Sequence, residues 1–446
     1  MFREDVVTNK LTFRARSIYS GESAPLENAV IEIEDGIVTG LVENSDLPAT
    51  DLGNVAIIPG LVNAHTHLEF SHLANPVEPF LPFTNWIRNV VLERKNRKED
   101  VAEIVTRGMK ECMESGQTTL GEISTDDEIY ESISLPHPKT VVFREILGLN
   151  PTDIESNLQI TRKHLERFSV TGVTADLPSS AEGNQSRDCQ GAGPLNNSRG
   201  SDHHAGSHNI IPALSPHAPY SVHPHLFSQL VELAKTENVP IAMHLAETQA
   251  ELQLLDKGEG EFVEMLEDFG VWQKGIFSPG IKPLEYLRQL AKVSHALVVH
   301  GNYLDADEIA FLSAQSHMTL IYCPRTHAAF GHTNHPWRRV LEQGGHIALG
   351  TDSRASNPDL SLWNELCFLK IQFPQYDDVL LLQLATQNGA RALGLERETG
   401  TLLPGKTADL AIVKLQDGSF STLFHSSHRI CGTMLAGDWI FSAGLQ

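Results

Sequence analysis

The stretch Ile57–Phe70, IIPGLVNAHTHLEF, places two histidines two residues apart at the end of an apolar run. Side chains at i and i+2 of a strand share a face, so His65 and His67 can both reach one ion. Residues of the same kind recur far downstream. VPIAMHLAET carries His244 with Glu247 three residues later, HALVVHGNY leads to His300, and GHIALGTDSRASN leads to Asp352. A lone histidine at a strand end is usually an ordinary hydrogen-bonding group. Four or five such residues at matching ends of separate strands point instead to a metal centre. Three imidazoles and one carboxylate suit zinc or ferrous iron and leave room for one water.

A scaffold that gathers strand ends must position these residues. Eight apolar strands alternate with amphipathic helices and end near His67, Glu122, Gly148, His217, Glu247, Gly301, Cys323 and Asp352. EDVAEIVTRGMKECMESG and PDLSLWNELCFLKIQF are the clearest helical stretches. Eight βα units imply a closed (β/α)8 TIM-like barrel, whose active sites collect at the C-terminal ends of the strands. The flanks differ in style. VIEIEDGIVTGL alternates around Asp35-Gly36 as a type I′ hairpin does, and GTMLAGDWIFSAG repeats the pattern with Gly437-Asp438 as its turn. The expected division is a composite β-sandwich from 1–58 and 396–446 and a metal-dependent barrel from 59–395. A Ser/Gly/Asn-rich segment at about 179–209 has too little apolar surface to offset its ordering entropy and reads as a mobile surface insertion. Its His203, His204 and His208 are left out of the metal reading.

Composition narrows the partners. A formal net charge of −22 opposes binding to nucleic acid or an anionic membrane, which leaves a small-molecule substrate. The five cysteines are odd in number and lack CxxC spacing, which fits a reducing compartment. MFREDVVTNK has no apolar signal region, and no run approaches the ~20 apolar residues of a membrane span. The expected location is the cytoplasm.

PGLVNAHTHLE, SPHAPYS, HLAET, VHG, GTDS and GTLLPGKTADLAIV together closely resemble the amidohydrolase superfamily. Within it they are similar to the branch of cytosine, guanine and S-adenosylhomocysteine deaminases and triazine hydrolases. HLEF, FREILG and CPRTHAAFGH are most similar to aminodeoxyfutalosine deaminase-like members. The resemblance implies metal ligands at His65, His67, His244 and Asp352, and a proton-transfer residue at Glu247. It implies that His300 orients the attacking water and that His217 touches substrate. Homodimers are common among such relatives.

Two-metal members bridge their ions with a carboxylated lysine near the fourth strand. That strand here, IIPALSPHAPYS, has none, and Lys139 and Lys163 lie elsewhere. One divalent ion is therefore expected, with Glu145 the alternative bridge to a second. The implied chemistry is hydrolytic deamination of an aminated heteroaromatic ring: Asp352 accepts the proton of water, and Glu247 protonates the ring nitrogen and helps ammonia leave. The expected substrate is an adenine nucleoside derivative such as aminodeoxyfutalosine or S-adenosylhomocysteine. Dechlorination or deamination of a triazine, and guanine or cytosine deamination, are the alternatives. A non-catalytic scaffold is disfavoured by the complete ligand set. Candidate substrate contacts are Glu69, Arg144, His217, Arg325 and His327, with an arginine suited to a substrate carboxylate. An internal salt bridge is the competing role for Arg144, and capping of the following segment for Glu69.

Overall fold

The computed structural model describes residues 9–22, 24–133, 136–169, 209–416, 420, 423–424 and 428–445. Five strands come first: β1 (Lys10–Ile18), β2 (Leu26–Glu34), β3 (Ile37–Glu43), β4 (Thr50–Asp51) and β5 (Val55–Pro59). A parallel series follows. It comprises β6 (Leu61–His67), β7 (Gln117–Ser124), β8 (Lys139–Ile146), β9 (Ile210–Pro216), β10 (Ile241–Leu245), β11 (Ala296–His300), β12 (Met318–Tyr322), β13 (His346–Leu349) and β14 (Asp352–Ser353). After it come β15 (Leu410–Lys414), β16 (Arg429–Leu435) and β17 (Asp438–Ser442).

The first sheet runs β17-β16-β15-β5-β1-β2-β3 with β4 beside β1, so strands from the two flanks interleave. Asp35 and Gly36 both have positive φ, 50° and 78°, as a type I′ turn requires. The second hairpin turns one residue earlier than its sequence suggests, on Ala436 and Gly437 at φ 47° and 86°, with Leu435 opposite Asp438. Ile37 on β3 bridges to Thr407 just before β15, so the sheet curls back toward itself. Inside the curl lies an apolar core that includes Phe13, Ile31, Ile33, Ile57, Ile412 and Met434. The polar segment at about 179–209, with its three histidines, lies outside the described residues except for Asn209.

The parallel sheet has the order β13-β12-β11-β10-β9-β8-β7-β6-β14. β6, β7, β10, β11 and β12 are buried along their whole length, as expected of strands covered on both faces. Leu214, Met243, Leu245 and Leu320 from the strands join Phe227, Leu230, Leu287 and Trp337 from the surrounding helices in one core. The two clearest helical stretches form Val101–Glu114 and Leu362–Gln372. Asp100 caps the first by accepting from the N–H groups of Ala102 and Glu103, and Ser361 caps the second by accepting from Asn364. β14 continues β13 and pairs with β6, closing the barrel on its first strand. Gly350 makes that closure sterically feasible. A Cβ there would stand 2.8 Å from the carbonyl oxygen of His65, and the N–H of Thr351 donates to that oxygen at 3.0 Å. Among the described residues, no helix is long and apolar enough to cross a membrane.

Candidate active site

β6 delivers His65 and His67, β10 delivers His244, and the closing strand β14 delivers Asp352. Donor atoms of the three histidines lie within 4.8 Å of one another. The Asp352 Oδ1 atom is 3.8 Å from His65 Nε2 and 3.7 Å from His67 Nε2. Both ring nitrogens of His65, and Nδ1 of His67, are buried without a hydrogen-bond partner among the described residues. Orphaned imidazole nitrogens cost free energy unless something else accepts their lone pairs, and a cation does. His244 donates from Nδ1 to the His217 carbonyl at 2.9 Å, which leaves its Nε2 lone pair free, as in many metal-ligating histidines. Burial first, and then the neighbouring imidazoles, push His67 and His244 well below the ordinary histidine range. Asp352 behaves oppositely. Burial works to raise its carboxyl, but His65, His300 and the Ser356 hydroxyl at 2.7 Å outweigh it and hold it at about 2. Imidazoles at His67 and His244 that resist protonation, beside an ionised carboxylate, fit a divalent cation.

Glu247 lies beside this group, with Oε1 3.4 Å from Nε2 of His300. Burial, then the charges of Asp352 and Glu251, raise its carboxyl well above the ordinary range. Its position is held from behind. The Glu251 carboxylate accepts from the N–H groups of Ala246 and Glu247 at 2.8 and 2.9 Å, and the Asn302 side chain donates to the Glu247 carbonyl at 3.0 Å. His300 and Asp352 both sit at strand ends with left-handed backbone, at φ 66° and 56°. Such conformations are uncommon outside glycine and concentrate at functional sites.

These groups line a cavity of about 700 Å³, its open mouth included. Its outer wall is the helix Phe83–Asn96, which contributes Phe83, Trp86, Ile87, Val90, Val91 and Arg94. His217 lines it from the end of β9, with Nδ1 2.6 Å from the Ser221 hydroxyl; burial, then Arg94 and His65, depress its titration to about 3. Glu145 faces the same space but stands against His217 and Arg94, outside the three-histidine group.

Four of the sequence-derived substrate contacts do not line this cavity. Arg144 is engaged by Asp127 at 3.0 Å. Arg325 is forked onto Asp359 and Glu365 at 2.7 Å each. His327 lies in the short helix Pro324–Ala329, packed edge-on against Tyr322. β6 stops at His67, and Glu69 falls in a single helical turn, Leu68–Phe70, where Arg94 and Arg97 hold its carboxylate at 2.6 and 3.2 Å. Glu69 thus supports the arginine that reaches the cavity. Lys139 begins β8 and Lys163 is exposed, so neither approaches the histidines. Sequence reasoning missed Arg94 and the apolar wall. Their signal is Trp86, Val90 and Arg94 at intervals of four, one face of a helix.

A model described as the amidohydrolase family matches residues 56–440. A 5-methylthioadenosine/S-adenosylhomocysteine deaminase of Pyrococcus furiosus is 27% identical over 416 residues, covering 90% of this chain and 85% of that protein. The crystal structure of Helicobacter pylori aminofutalosine deaminase with methylthio-coformycin superposes with a TM-score of 0.75 at 20% identity, over 97% of this chain and 100% of that one. Atrazine chlorohydrolase TrzN from Arthrobacter aurescens, complexed with zinc, gives 0.72 at 16% identity, over 97% and 95%. At these identities the two structural likenesses establish a shared fold.

Proposed function

The chain belongs to the amidohydrolase family, and from that premise we propose that it is a metal-dependent hydrolytic deaminase of an adenine nucleoside derivative, such as S-adenosylhomocysteine or aminodeoxyfutalosine. The observation that carries this reading is the buried Glu247–His300 pair at 3.4 Å beside the histidine group. Hydrolysis of an amidine-like ring carbon needs a group that holds a proton near neutral pH, and burial gives Glu247 that character. The names of the relatives support the substrate class.

His65, His67, His244 and Asp352 would hold one divalent ion, zinc first and ferrous iron second. Bound there, the ion supplies Lewis acidity and makes a water acidic enough to ionise near neutral pH. Asp352, ionised and restrained by Ser356, is the base placed to take a proton from the attacking water. Glu247 gives its proton to the ring nitrogen, takes the remaining proton of the attacking oxygen and delivers it to the departing amine, and the proton held by Asp352 then restores Glu247. The C–O bond forms, the C–N bond breaks, and ammonia leaves. His300 orients the attacking oxygen. His217 packs against the substrate from the β9 side. The negative net charge supports a small-molecule substrate over nucleic acid or an anionic membrane, and the cytoplasm is the proposed location. A homodimer is the proposed assembly.

The test couples metal analysis to ammonia release from a panel of S-adenosylhomocysteine, 5-methylthioadenosine, aminodeoxyfutalosine, guanine, cytosine and a chlorotriazine. About one equivalent of metal and ammonia from the nucleosides are expected. Turnover confined to the free bases, or chloride release from the triazine alone, rejects the substrate class.

A further inference from the structure

Glu145, at the C-terminal end of β8, has a feature that the deamination chemistry leaves unused. Its side chain is only 3% exposed, yet it lines the cavity. Its basic neighbours stand off: Arg94 Nη2 is 3.6 Å from Oε2, and His217 Nε2 is 3.8 Å from Oε1. Both distances exceed a direct hydrogen bond. A carboxylate offers about four acceptor sites, and a buried one that faces a cavity with these unfilled is arranged for donors that arrive with a ligand. The same Nη2 of Arg94 donates to Glu69 at 2.6 Å, so it supplies positive charge to Glu145 while its short hydrogen bond goes elsewhere.

Position selects the donors. The His217 ring is 5.0 Å from the ring of His244 in the metal group, and Glu145 stands 3.8 Å from His217 Nε2, beside the three-histidine group and not part of it. A heteroaromatic ring whose reacting carbon sits at the histidine group therefore places its substituent, rather than its own edge, beside Glu145. An ammonium substituent would meet the guanidinium of Arg94. The wall formed by Trp86, Ile87, Val90 and Val91 has little to offer hydroxyls, whereas the two oxygens of Glu145 match a pair of adjacent ones.

We infer that Glu145 accepts hydrogen bonds from the vicinal hydroxyls of a ribose on the substrate, and so selects nucleosides over free bases. This rests on the deaminase reading above. In it, Arg94 supplies positive charge beside Glu145, and Glu69 holds Arg94.

The experiment compares wild type and Glu145→Gln on adenosine, 5-methylthioadenosine and 2′,3′-dideoxyadenosine, with guanine, cytosine and a chlorotriazine alongside. Calorimetric binding of inosine against 2′,3′-dideoxyinosine reports recognition without turnover and needs only the wild type. Wild type is expected to prefer the diol-bearing compounds by about 10- to 100-fold, as hydrogen bonds to a charged group suggest. In Glu145→Gln that preference should shrink to within about threefold, mainly through KM. A wild type indifferent to the hydroxyls, in turnover or in calorimetry, overturns the inference. So does a variant whose activity falls equally on ribose and dideoxyribose compounds, because that is a structural role. Ammonia from a free base but from none of the nucleosides overturns it together with the nucleoside reading, and ammonia from no compound overturns the deaminase reading itself.

Discussion

His65, His67 and His244 project from strands buried on every residue, whereas Trp86, Val90 and Arg94 project from a helix in which only Phe83 and Thr84 are buried. The two regions face each other across one cavity. The floor is anchored by backbone ladders on both sides of each strand and by the closure of β14 on β6. The wall is held by side chains instead, Trp86 donating to the Ala355 carbonyl at 3.2 Å and Arg94 to Glu69 at 2.6 Å, and its helix starts at Pro82 without a side-chain cap, while Asp100 caps the next one. A rigid floor suits groups that must meet within tenths of an ångström, and a lightly held wall suits contacts that vary with the substrate.

The sharpest way to break this division is at the floor. Glu247→Gln should retain the metal, measured by elemental analysis, and lower kcat by about 10²- to 10⁴-fold, as loss of a general acid does. Retained turnover in that variant would remove Glu247 from the chemistry. A chelator should abolish activity, with restoration by zinc or ferrous iron. One step behind the floor, Glu251→Ala should lower kcat by about 10- to 100-fold with KM little changed, since the backbone of Glu247 loses its brace. Burial raises the Glu251 carboxyl from 4.5 to about 7 despite its backbone donors. The folded state thus holds that proton more tightly than the unfolded one. This contribution to stability is full below 4.5 and is lost as pH rises through about 7. Melting of Glu251→Gln followed against pH should show a shallower decline than wild type over that window.

At the wall, Trp86→Ala should raise KM by about 10-fold and change kcat less, because it removes apolar contact area far from the reacting atoms. An equal fall in kcat would show that the wall helps to set the chemistry. The smallest kinetic effect is expected outside both regions. Arg325→Met should leave the KM of the folded enzyme unchanged and lower stability by about 3–5 kcal/mol in denaturant titration, because Glu365 would be left buried and unpaired.

The same contrast explains what could be read before the fold was seen. A strand has a period of two and stops at a recognisable place, so His65, His67, His244, His300 and Asp352 announced both their elements and their shared end of the barrel. Arg144 and Arg325 are engaged away from the cavity, and the sequence does not show it because their partners are remote. Asp127 is 17 residues from Arg144, and Asp359 and Glu365 are 34 and 40 from Arg325, with no local pattern linking them. Glu69 was placed one element too far, since nothing in HLEF marks where extension gives way to a turn. The wall residues carry no chemical signature at all, and a tryptophan and valines at helical spacing look like any core face. Only the fold shows that the face opens on a cavity.

The strand order of the first sheet also bears on how the chain reaches its final state. β5 pairs with β1 on one side and with β15 on the other, and β15 belongs to the distant flank. During synthesis β5 keeps an open edge while the whole barrel emerges, and only the arrival of Leu410–Lys414 covers it. β5 is apolar and buried in the finished protein, so that waiting edge is open to pairing with another nascent chain. The sheet acts as a clasp that shuts last, and a chain cut short before Leu410 would leave it open.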